Sequence, residues 1–98
     1  MKIPPRMTLL GFAAALIAVA CAGSPVQQQV RELDQGTRIW TEMCSRCHNR
    51  RPAPEFTAEQ WPIIVNHMRS RSDLTKSEAQ AVASFLRRLR EQANPSRR

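Results

Sequence analysis

Five consecutive residues hold the clearest chemistry in the chain: Cys44-Ser45-Arg46-Cys47-His48. Two thiols set three positions apart fall on neighbouring positions of a helical turn, and a histidine follows the second thiol directly. C-x-x-C-H is the spacing that attaches a c-type haem. Both thiols then reach the two vinyl groups on one side of the porphyrin, and the histidine sits under the iron as its proximal ligand. Other chemistries use the same residue types. Structural zinc takes four Cys and His ligands, here Cys44, Cys47, His48 and His67, but the gap between the pairs suits such a site poorly. A thioredoxin-like redox pair needs a βαβ context that the sequence lacks. A plain disulfide has no use for His48.

The elements that must position these residues are helical. There is no β-branched alternation, no tyrosine and no hairpin turn signal, so no strand is expected. Three helices are read instead. In the first, about Val30 to Cys47, Leu33, Gly36, Ile39, Trp40 and Met43 recur at helical spacing, and Glu32 and Asp34 near the start suit the dipole. Pro52 and Pro54 stop any continuation. The second helix covers about Thr57 to Arg69, with Thr57 and Gln60 as a capping box. Trp61, Ile64, Val65 and Met68 share one face of it. Pro62 interrupts its hydrogen bonding, so the regular helix is expected nearer Trp61. The third opens on a Thr75–Glu78 capping box, with Leu74 as a hydrophobic staple against Ala79. Ala79, Val82, Leu86, Leu89 and Ala93 form its apolar stripe, widened by Ala83 and Phe85. Pro95 and the terminal arginines read as a basic tail over residues 94–98.

The pattern Gly36-x-x-x-Trp40-x-x-x-Cys44-x-x-Cys47-His48 resembles the N-terminal helix of class I cytochromes c. The resemblance spans roughly residues 31–93 and implies an all-α, cytochrome c-like domain of about three helices around one covalent haem c. It implies that Gly36 lets the first and last helices approach closely, and that Trp40 fills the space between them near the haem, against Phe85, Leu86 and Leu89. Trp61 is the second aromatic residue expected at the cofactor. The family places a methionine opposite the histidine, and Met68 has the matching order and shares the Trp61 face. His67 lies about 100° around the helix from Met68. It is the rival ligand, and an open sixth position is a third possibility. The short chain between His48 and Met68 departs from the family, whose longer loop beneath the haem is missing. The resemblance also implies that a carbonyl in Pro52-Ala53-Pro54 orients His48. Arg50, Arg51, Arg69 and Arg71 flank the two haem-facing segments, so one or two of them are expected to pair with propionates.

Location and charge narrow the function. Lys2 and Arg6 precede an uncharged, mostly apolar run from Met7 to Ala20. It is shorter than the about 20 apolar residues of a membrane span, and reads as an export signal over residues 1–20. Ala18-Val19-Ala20 before Cys21 resembles a bacterial lipoprotein processing site, although Ala18 stands where that pattern usually has leucine. Ordinary cleavage after Ala20 or Ala22 competes with it. Of three cysteines, two belong to the haem motif, and lipidation would explain the unpaired Cys21. Residues 21–30 suit a flexible tether. The about 65 residues that remain bury little apolar surface, so a haem tied to the chain would act as a staple.

Fifteen Lys and Arg against eight Asp and Glu give a net charge of +7. In an exported protein that charge points to an acidic redox partner or a membrane surface, not to nucleic acid. The expected role is an exported electron carrier with one c-type haem and His/Met ligation, periplasmic or tethered to the membrane as a lipoprotein, and not an enzyme. A haem-based small-ligand binder and an electron-delivering subunit of a larger oxidoreductase are the alternatives.

Overall fold

The computed structural model describes residues 23–97. The export signal expected over residues 1–20 and the candidate lipidation at Cys21 lie outside the described residues. The described part is all-helical: α1 (Pro25–Glu42), α2 (Gln60–Arg69) and α3 (Lys76–Ala93), with short 3-10 turns at Cys44–Arg46, Ala53–Glu55 and Pro95–Arg97. Among the described residues no helix is long and apolar enough to cross a membrane.

The start of α1 differs from the expectation near Val30. Ser24 caps it: the Ser24 hydroxyl accepts from the Gln27 N–H at 3.3 Å, and the Gln27 side chain accepts from the Ser24 N–H at 3.1 Å. Pro25 follows at the first position, where its missing N–H leaves nothing unsatisfied. Residues 25–30, assigned from composition to a tether, are therefore the first turns of a helix. The helix also ends earlier than Cys47. Met43 N–H bonds Ile39 O at 2.8 Å, and the chain then tightens into the 3-10 turn that carries Cys44.

Gly36 makes the central packing contact. A Cβ built there collides with the Ala81 carbonyl oxygen and lies 2.9 Å from Phe85 Cβ, so only glycine lets α1 come this close to α3. Ile39, one turn further on, is buried in the same seam. Trp40 then packs on Phe85 with ring centroids 5.6 Å apart. A carboxylate–hydroxyl bond from Ser84 Oγ to Glu32 Oε1 at 2.6 Å pins the outer end of the contact.

In α2, Thr57 and Gln60 make the reciprocal bonds of a capping box, at 2.9 and 3.3 Å, and helical geometry begins at Gln60. Pro62 then falls in the first turn, where N–H groups have no partner within the helix, so it breaks no bond. Trp61 and Val65 are buried. Burying a tryptophan is worth roughly 3–5 kcal/mol, judged by truncation. Trp61 meets Phe56 edge-on at 5.1 Å and donates its indole N–H to Ala53 O at 3.0 Å. A tight turn joins α2 to α3. Leu74 N–H returns to Arg69 O at 3.0 Å across Asp73, whose φ of 54° is left-handed.

The Thr75–Glu78 capping box of α3 forms as expected. Its two hydrogen bonds from Thr75 pull the Glu78 carboxyl below its ordinary range. Ala79, Val82, Ala83 and Leu86 are buried, Phe85 and Leu89 partly so, and Ala93 is exposed. Ala81, outside the expected stripe, is fully buried because it faces Gly36. Both α1 and α2 pack on α3 and not on each other. That arrangement leaves a hollow between them with α3 as its floor.

Candidate functional site

The hollow is a cavity of about 700 Å³. Its volume lies within the roughly 300–1,000 Å³ of cofactor and ligand pockets. Val82 and Leu86 of α3 form part of its floor, while Trp61, Ile64, Val65 and Leu74 supply apolar wall from α2 and the turn after it. Trp40 contributes from α1 and Met43 from the residue that caps its end.

The sequence-predicted residues converge here. Cys44, Cys47 and His48 line the cavity from the turn after α1, Met68 lines it from α2, and both tryptophans border it. His67 does not line it and is exposed. Among the described residues no three of His, Cys, Asp and Glu gather as metal ligands, so the Cys44, Cys47, His48 and His67 set of the zinc reading is not assembled. Cys44 and Cys47 are free thiols. Burial pushes the Cys44 thiol up, and the neighbouring Arg50 charge works against that rise.

His48 is exposed, and its Nδ1–H donates to Asn49 O at 2.7 Å. This fixes the tautomer and leaves Nε2 free to act as a ligand. The expected acceptor in Pro52-Ala53-Pro54 is not used. The Ala53 carbonyl is taken by Trp61, and the residue directly after His48 serves instead.

The arginines also sort differently from the expectation. Arg50, Arg51 and Arg71 border the cavity, Arg69 does not, and Arg46, within the haem motif itself, joins them. Arg51 pairs with Glu55 at 3.0 Å. Arg50 lies over the Trp40 ring, 4.7 Å from its centroid, and donates to Thr41 O at 3.2 Å. Arg46 is missed by the sequence reading, although it stands between the two thiols. Nothing in sequence spacing signals the reach of Arg50 back to Thr41.

An apolar hollow with two thiols and an imidazole presented by one segment, and a thioether by another, suits a flat, largely apolar macrocycle with a central metal. The comparison with known proteins points the same way. The chain resembles a c-type cytochrome. It is 33% identical over 73 residues, 74% of its length, to the cytochrome c-type protein TorY of Haemophilus influenzae. The matched stretch is 20% of that relative, so the chain spans about a fifth of its length. No protein-family model matches the chain, and no solved structure matches it.

Proposed function

We propose that this chain is an electron-transfer protein carrying one covalently attached c-type haem. The observation that carries the reading is the convergence of Cys44, Cys47, His48 and Met68 on one apolar cavity. In this reading Cys44 and Cys47 would hold the cofactor through thioether bonds, and His48 Nε2 and Met68 Sδ would ligate its iron. The haem supplies a one-electron couple, and the protein supplies orientation, a ligand pair and exclusion of water. Asn49 O holds the His48 ring in one tautomer, a contact of the kind that tunes ligand basicity. Trp61, anchored on Ala53 O, keeps its indole ring against the cavity. A Met68 thioether paired with the His48 imidazole would raise the reduction potential and keep small ligands off the metal.

Met68 is favoured over His67 because Met68 is half-buried at the cavity and His67 is exposed outside it. The unpaired Cys21 and the apolar run before it support an exported, lipid-tethered protein held at a bilayer surface. Arg46, Arg50 and Arg71 around the cavity support an acidic redox partner, with association that weakens as salt rises.

Met68→Ala is the test of ligation. The oxidised wild type should show the thioether-to-iron absorption band, and the variant should lose it. The reduced wild type should resist carbon monoxide, and the reduced variant should bind it. A wild type without the band that binds carbon monoxide rapidly would replace electron carriage with small-ligand binding.

A further inference from the structure

The segment from His48 to Pro52 is exposed throughout and belongs to no helix. Few contacts hold it, and they are unequal. Arg51 pairs only locally, with Glu55 on the same stretch. Arg50 reaches back nine residues along the chain: its Nη1–H donates to Thr41 O near the end of α1, and its guanidinium covers the Trp40 ring. The Thr41 carbonyl, which also accepts from Ser45 Oγ at 3.1 Å, lies in the last turn of α1, where carbonyls lack backbone partners within the helix and a cation is favoured. The planar guanidinium suits both tasks at once, since it stacks by its face and donates from its edge.

Arg50 has a further covalent relation to the site. The Asn49 carbonyl and the Arg50 amide nitrogen belong to one planar peptide unit. That carbonyl is the acceptor for His48 Nδ1–H at 2.7 Å. Whatever fixes Arg50 therefore restrains the group that orients the His48 ring. We infer that Arg50 is a positioning residue for His48: clamped on Trp40 and Thr41, it holds the Asn49 carbonyl in line with the imidazole and so sets the electron donation of that ring. This rests on the proposed role of His48 as proximal ligand.

Two effects of Arg50 on the reduction potential have opposite signs, and that separates them. A firm hydrogen bond from Nδ1–H makes the imidazole a stronger donor, which favours the oxidised state and lowers the potential. Loosening the clamp therefore raises it. The positive charge of Arg50 disfavours the oxidised state, so removing the charge lowers the potential. Arg50→Lys keeps the charge and loses the planar fork. Arg50→Gln loses both.

The test uses the full haem-bearing chain. Proton NMR of the reduced protein follows solvent exchange of His48 Nδ1–H, and a redox titration gives the midpoint potential. In Arg50→Lys the exchange should quicken about tenfold, the change expected for losing one hydrogen bond of ordinary net strength, and the potential should rise. Arg38→Lys, whose ion partner is the exposed Asp34, is the remote control and should move neither. An Arg50→Lys protein with unchanged exchange and potential overturns the inference. So does an Arg50→Gln protein whose potential falls while exchange stays slow, since Arg50 would then act by charge alone. A wild-type chain that takes up no haem overturns the underlying reading of His48, a different and separately visible failure.

Discussion

Replacing Gly36 with Ala would place a methyl group against the Ala81 carbonyl and 2.9 Å from Phe85 Cβ. Two terms oppose each other. Alanine gains about 1 kcal/mol over glycine in a helix interior. Overpacking a well-packed seam costs about 1–3 kcal/mol, and the upper part of that range applies here because the nearest obstacle is backbone and cannot rotate away. The net expectation is a loss of about 1–2 kcal/mol. For a domain of this size each kcal/mol moves the melting point by roughly 4–8 °C, so a fall of roughly 5–15 °C follows. Thermal denaturation of the haem-bearing protein, followed by far-UV circular dichroism, measures it. A double-mutant cycle sharpens the test. Because the obstacle is the carbonyl and not the Ala81 side chain, adding Ala81→Gly should give no rescue, and the two changes should combine additively. A Gly36→Ala protein that melts at or above the wild-type temperature, or one rescued by Ala81→Gly, would refute the packing argument. The functional consequence runs through Trp40. It follows Gly36 by one helical turn and packs at a tilt on Phe85 beside the cavity, so any parting of α1 from α3 moves the cavity wall.

Two further predictions follow from local geometry. Asp73 has a left-handed φ of 54°, which glycine adopts freely and alanine does not, so Asp73→Gly should be about 1 kcal/mol more stable than Asp73→Ala in urea denaturation. Thr75 holds the Glu78 carboxyl below its ordinary value of 4.5 through hydrogen bonds to the charged form. The stabilisation from this group is therefore present above about pH 4.5 and is lost as pH falls through the lower folded-state value. Glu78→Gln should flatten that part of the acid limb in a pH series of melting temperatures, and an unchanged limb would contradict the linkage.

Much of the arrangement was legible in the sequence. Gly36, Trp40 and Cys44 fall at four-residue intervals; the structure places the first two on α1 against α3 and Cys44 in the 3-10 turn that follows. The Thr75–Glu78 box was visible because both partners are local and their chemistry is specific. Ser24 and Gln27 carry the same kind of signal, but the surrounding glycine, proline and glutamines read as a tether and hid the true start of α1. Ala81 lies outside the apolar stripe read from the sequence, because its burial depends on the glycine it faces, a tertiary fact. The acceptor for His48 was misplaced for a related reason. Within the expected segment Pro52-Ala53-Pro54, the Pro52 carbonyl accepts from Glu55 N–H and the Ala53 carbonyl from the Trp61 indole of the next helix. The clamp made by Arg50 was not legible, since an arginine in an exposed loop gives no sign of the ring it covers.

The central claim is covalent attachment of one haem through Cys44 and Cys47. The most direct measurement is a haem stain of a denaturing gel, run on the chain expressed with export and haem-attachment machinery. The wild-type band should stain, and the Cys44→Ser, Cys47→Ser double variant, present in equal amount by immunoblot, should not. An unstained wild-type band, or a stain that survives both substitutions, would contradict the account.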